Sequence, residues 1–207
     1  MYVTEALGTF VLVFTVGAAS LSGSPTAPVA IGAALMAMVY AGGHISGAHY
    51  NPAVTIAVLV RGRIGARQAF GFLAAQIVGG LIATMAVSAV VPTRSAHPLA
   101  LSGHALLAAA IAELIVTFVL CFVVLNVATS KDHPNNSFYG LAIGFTVAAG
   151  AVAVGGISGG VFNPAVGIAG VVGGMFTGPV VVAYLVVQVA AAVGAGKVFR
   201  FLNPADK

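Results

Sequence analysis

Two Asn-Pro-Ala tripeptides, Asn51-Pro52-Ala53 and Asn163-Pro164-Ala165, each break a long apolar run. Asn is a preferred helix N-cap and Pro a preferred first helical residue, so each tripeptide reads as a helix start. A helix that starts in mid-bilayer is tolerated only where it is buried in protein or lines a watery cavity. The chemistry on offer there is hydrogen bonding: each side-chain amide can donate to a water or hydroxyl oxygen passing between them. Each helix start also carries about +0.5 of a charge from its aligned peptide dipoles. Two such ends facing one another repel cations, and a water held by two donors interrupts a proton wire. Helix capping alone would account for one such Asn; two symmetric copies point to a pore.

The other residues with chemical potential are sparse. Glu5 and Glu113 are ionisable groups inside apolar runs, where such residues are costly and face a bundle interior or cavity with a partner. Their symmetric placement argues for a shared structural role, with a proton relay as the sharper alternative. Gln76 and Gln188 read as interior hydrogen-bonding residues that support the same loops. His44 and His49 precede the first tripeptide. No Cys or carboxylate accompanies them with ligand spacing, so no metal or other cofactor is expected. Hydrogen bonds to loop carbonyls are the plainer reading, with His44 placed to act as a pH-responsive gate. Cys121 is a single cysteine in an apolar stretch and reads as a small packed residue.

The elements that must position these groups follow from composition. The chain of 207 residues is 60% hydrophobic and 6% charged, whereas soluble domains carry about 25% charged residues. Apolar segments fall at 3–20, 27–44, 66–91, 105–128, 137–155 and 178–202, each long enough to span a bilayer. Two shorter stretches, 52–60 and 164–175, follow the tripeptides. At about 1.5 Å per residue each covers half of a hydrocarbon core roughly 30 Å thick. Placed end to end they make one composite span.

Arg61, Arg63, Arg67, Lys131, Lys197, Arg200 and Lys207 fall on one side of this arrangement and only Arg94 on the other. That bias places both termini in the cytoplasm. A net charge of +4 from so few, membrane-flanking cations does not make a nucleic-acid surface. The run after Met1 has no basic leader, so it reads as a retained span rather than a signal peptide. No catalytic domain fits, and no nucleophile–base pair is present, so the chain is not expected to be an enzyme.

The two halves repeat, approximately over 1–91 and 105–207. Glu5-Ala-Leu-Gly-Thr-Phe-Val-Leu-Val-Phe14 resembles Glu113-Leu-Ile-Val-Thr-Phe-Val-Leu-Cys-Phe122, 108 residues later; the tripeptides and the glutamines are each 112 apart. Three spans per copy is odd, so the second copy inserts upside down, and such repeats place their site at the midplane. The expected fold is therefore all-α and membrane-integral, with six transmembrane helices and two re-entrant half-helices in a single domain.

Glu5 with Thr9-Phe10, the run Gly43-His-Ile-Ser-Gly-Ala-His-Tyr-Asn-Pro-Ala-Val-Thr55, Ala75-Gln76, and Ser158-Gly-Gly-Val-Phe-Asn-Pro-Ala165 resemble the major intrinsic protein family, the aquaporins and aquaglyceroporins. The resemblance covers essentially the whole chain. It implies a pore in each protomer, a homotetramer in the cell membrane in contact with lipid, and glutamates that accept hydrogen bonds from the re-entrant loops. It departs from the water-selective pattern at the constriction, where Arg after the second Asn-Pro-Ala is replaced by Val166. Spacing maps the other three constriction positions to Ile31, Ala151 and Gly160. Loss of the fixed guanidinium and of bulk predicts a wide, apolar filter. The expected cargo is water with small neutral solutes (glycerol, urea, ammonia or hydrogen peroxide). A strict water channel, a coupled transporter and a closed structural protein are the alternatives.

Overall fold

The structure, a computed structural model, describes residues 1–91 and 97–206. Arg94, the lone cation expected on the outer side, and Lys207 lie outside the described residues. Among the described residues six helices are long and apolar enough to cross a membrane: α1 (Tyr2–Leu21), α2 (Ala27–Ser46), α4 (Ala66–Val90), α5 (Gly103–Val124), α6 (Tyr139–Ser158) and α8 (Gly178–Leu202). Two short ones, α3 (Pro52–Arg61) and α7 (Pro164–Val172), begin at the Asn-Pro-Ala tripeptides. The helix at the end of α5 widens into a π turn over Leu125–Thr129.

Local chemistry accounts for the ends of the short helices. The Asn51 side chain accepts from the Ala53 N–H at 2.8 Å, and Asn163 from the Ala165 N–H at 2.9 Å, with Pro at the first helical position of each. α3 stops at Gly62, whose φ of 90° is left-handed. α7 is three residues shorter than the apolar run that predicted it. At Gly173-Gly174 the backbone closes on itself, the Met175 N–H donating to the Gly170 carbonyl at 2.8 Å.

Helices pack both within each repeat and across the two. α1 packs on α2 and α4, α5 on α6 and α8, and α2 crosses α6. Gly32 and Gly144 meet at that crossing: a Cβ on either would lie 2.5 Å from the other's carbonyl oxygen. Close helix approach through small residues is how membrane helices gain contact. Each half-helix leans on the other half's last span, α3 on α8 and α7 on α4. Asn51 and Asn163 are thereby brought to the middle of the bundle from opposite sides.

Candidate functional site

The loop 46–51 is built around one carboxylate. Glu5, fully buried in α1, accepts four bonds. At Oε1 the donors are the Ser46 hydroxyl (2.6 Å) and the His49 N–H (3.0 Å); at Oε2 they are the Tyr50 N–H (2.7 Å) and the Gln76 amide (2.8 Å). Glu113 repeats the set in α5. Its Oε1 accepts from the Ser158 hydroxyl (2.7 Å) and the Val161 N–H (2.9 Å), its Oε2 from the Phe162 N–H (2.7 Å) and the Gln188 amide (2.8 Å). The backbone needs such support because Ala48, Tyr50 and Phe162 all have φ near +50°. Side chains other than Gly seldom adopt that region, and they persist there only where the surroundings over-determine it.

The two loops then lock together. The Asn51 amide donates to the Phe162 carbonyl at 2.9 Å, and the Asn163 amide donates to the Tyr50 carbonyl at 3.0 Å. Each amide has two N–H donors; the cross-loop bond uses one and leaves one for an occupant of the lumen. Both Asn side chains, 4% and 3% exposed, border that lumen.

The lumen is a cavity of about 30 Å³, room for about two waters. Its wall follows the repeat: the sequence equivalents Leu12 and Leu120, Val16 and Val124, and Ile31 and Ile143 all line it. His49 breaks the pattern, since its equivalent is Val161. Of the four constriction positions, Ile31, Gly160 and Val166 line the cavity. Ala151 instead packs behind Gly160, 3.6 Å from where a Cβ on that glycine would sit. The enclosed space that Ile31, Gly160 and Val166 border holds about 30 Å³. Leu12, Leu35 and Leu120, on α1, α2 and α5, line the same space.

A larger cavity of about 320 Å³ lies behind α7, between α1 and α4, with Val16 and Val166 bordering both spaces. The histidines also differ from expectation. His49 pairs through Nδ1 with the Thr55 hydroxyl at 3.1 Å and stands edge-on to Phe72, rather than bonding a loop carbonyl. His44 is exposed in the last turn of α2 and is not among the residues around the lumen, whereas His49 is buried and borders it. Among the described residues no group of three or more His, Cys, Asp or Glu side chains is placed to hold a metal.

Sequence reasoning passed over several participants. Ser46 and Ser158 stand 112 residues apart like the tripeptides, and that spacing was the available signal. Thr55 holds His49 and Gln76 together. A third Asn-Pro-Ala, at Asn203, Pro204 and Ala205, follows α8 instead of starting a helix, because Asn203 caps a helix C-terminus there. Next to it Asp206 forms a buried ion pair with Arg61 at 2.7 Å, which no local pattern announces.

The sequence profile of the major intrinsic protein family matches residues 1–154 and, in an overlapping second match, 139–206. Glycerol uptake facilitator protein-like 6 of Lactiplantibacillus plantarum is 41% identical over 177 residues, covering 79% of this chain and 79% of that protein. Aquaporin NIP1-4 of Oryza sativa subsp. japonica is 39% identical over 173 residues, 80% of this chain but 63% of its own length. The crystal structure of the aquaglyceroporin from Plasmodium falciparum superposes with a TM-score of 0.77 at 21% identity, covering 95% of this chain and 93% of that one. Its likeness is one of fold. The buried glutamates, the crossed asparagines and these matches agree, and the chain belongs to the major intrinsic protein family.

Proposed function

We propose that this protein is a passive membrane channel, not an enzyme, that conducts water and small uncharged solutes such as glycerol through the lumen of each protomer. The observation that carries this reading is the reciprocal pair of bonds joining Asn51 and Asn163 to the opposite loops. It fixes two helix N-termini face to face with one amide donor each to spare, which favours a neutral hydrogen-bonding cargo and repels cations. Ile31, Gly160 and Val166 act as the outer constriction, with no fixed cation among them. Glu5, Glu113, Gln76 and Gln188 act as loop supports.

The protein works as a homotetramer in the cell membrane with both termini cytoplasmic. Arg61, Arg63, Arg67, Lys131, Lys197 and Arg200 in the segments that would face inward support the orientation. The names of the relatives, a glycerol uptake facilitator and an aquaporin, support the cargo class.

Stopped-flow light scattering on proteoliposomes tests this directly. Osmotic shrinkage and glycerol re-swelling both faster than in empty vesicles are expected, with no dependence on a proton gradient. Background rates for both would overturn the reading. The narrow lumen favours a second reading, a strict water channel, and fast shrinkage with glycerol entry at the lipid background selects it.

A further inference from the structure

Arg61 is the last residue of α3 and is only 4% exposed, so its charge must be matched by specific partners. Every part of the guanidinium is used. Nε donates to the Thr129 hydroxyl at 3.0 Å, and Nη1 to the Asp206 carbonyl at 2.9 Å. Nη2 lies 2.7 Å from the Asp206 carboxylate, and Cζ sits 4.4 Å from the centre of the buried Phe199 ring. Asp206, itself 7% exposed, takes two more bonds, from Arg63 at 3.0 Å and from the Lys131 N–H at 3.0 Å. Three distant pieces of chain thus converge on the end of a ten-residue helix: the segment after α8, the π turn of α5, and α8 itself.

Helix termination does not require any of this, because Gly62 already ends α3 in a left-handed cap. Nor does the repeat supply it. The residue 112 positions after Arg61 is Gly173, where α7 closes by backbone bonds alone. α3 is also pressed against α8 at this end, since a Cβ on Gly196 would lie 2.7 Å from the Val60 side chain. The other end of α3 begins at Asn51, and Val54 in its first turn borders the lumen.

We propose that Arg61 and Asp206 are positioning residues for the channel: their buried pair clamps the end of α3 away from the lumen and so holds Asn51 and Val54 in register with Asn163. The inference rests on the channel reading above. A ten-residue helix is about 15 Å long and rigid, so a shift at Arg61 is transmitted to Asn51. The proton barrier at the crossed asparagines depends on that placement, whereas the open cross-section depends on it less.

The test is the ratio of proton to water permeability in proteoliposomes of the full-length protein, read with an internal pH dye and by light scattering. A ratio does not depend on how many channels are correctly folded. Asp206→Asn is expected to raise it several-fold, and Asp206→Glu, which keeps the carboxylate, to return it toward wild type. The double variant Arg61→Met with Asp206→Leu leaves no unpaired charge from this pair, and is expected to show the raised ratio even if Asp206→Asn folds poorly. Wild-type water flux with unchanged ratios in all the variants that fold would overturn the clamp and leave a purely structural ion pair. Wild-type vesicles at the lipid background would instead overturn the channel reading itself.

Discussion

Glu5 shows what one residue does here. All four of its partners donate to it, so the carboxylate is consumed by the loop and presents no onward acceptor along which to relay a proton. Glu5→Gln replaces one acceptor oxygen by an NH₂ that faces donors. Each hydrogen bond to a charged group is worth about 1.5–3 kcal/mol, so loss of two bonds costs at least about 3 kcal/mol, read as a lower melting temperature in detergent. Glu113→Gln is expected to cost a similar amount, because its bond set is the same. Val166 poses a different question, standing between the lumen and the larger cavity behind α7. Val166→Arg places a fixed cation at the constriction. Glycerol permeability relative to water is expected to fall about tenfold, the effect of ~1.4 kcal/mol on the barrier, and an unchanged ratio would place the constriction elsewhere.

Between elements, the α2–α6 crossing places a tight requirement for small residues on both helices. Gly32 and Gly144 leave no room for a methyl group on either side. Gly32→Val drives the two helices apart, with a cost of about 1–3 kcal/mol expected for overpacking. Thermal unfolding in detergent checks it, and a wild-type melting temperature would show that the crossing relaxes freely. The half-helices obey a different logic. Their starts are written locally, in an N-cap and a proline, yet the place where those starts sit is set by neighbours. α3 is held by Glu5 at one end and Asp206 at the other; α7 has Glu113 at one end and only a glycine turn at the other.

For the whole molecule, the surface segment after α8 supplies a pH dependence. Burial alone would raise the Asp206 pKa. The Lys131 N–H and the guanidinium groups of Arg61 and Arg63 outweigh burial and hold it below its ordinary value. A carboxylate depressed by folding contributes its full stability above the ordinary pKa of about 3.9 and loses it as pH falls through the folded-state value. Melting temperatures are therefore expected to be insensitive to this group above about pH 5 and to drop below about pH 4. Asp206→Asn should lower the neutral-pH plateau, since an unpaired buried partner costs about 3–5 kcal/mol, and should flatten part of the acid limb. An acid limb identical in both proteins would assign the transition to other carboxylates.

Sequence alone determined the features that depend on local pattern or on solvent. Hydrophobic run lengths gave the six spans, because a bilayer demands about 20 apolar residues for each crossing. Asn51-Pro52 and Asn163-Pro164 gave the half-helix starts, because capping is satisfied within three residues. The equal spacing of glutamates, tripeptides and glutamines pointed to paired loops. Tertiary structure decided what depends on groups far apart in the chain. Leu12, Leu35 and Leu120 join the asparagines around one cavity, which no spacing from the tripeptides singles out. The crossing of the asparagine amides joins residues 111 and 113 positions apart, and the Arg61–Asp206 carbonyl bond spans 145. Such contacts form only once the chain has closed on itself, so the motif marks Asn51 and Asn163 but not the carbonyls they bond, and nothing local marks Arg61 and Asp206 as partners.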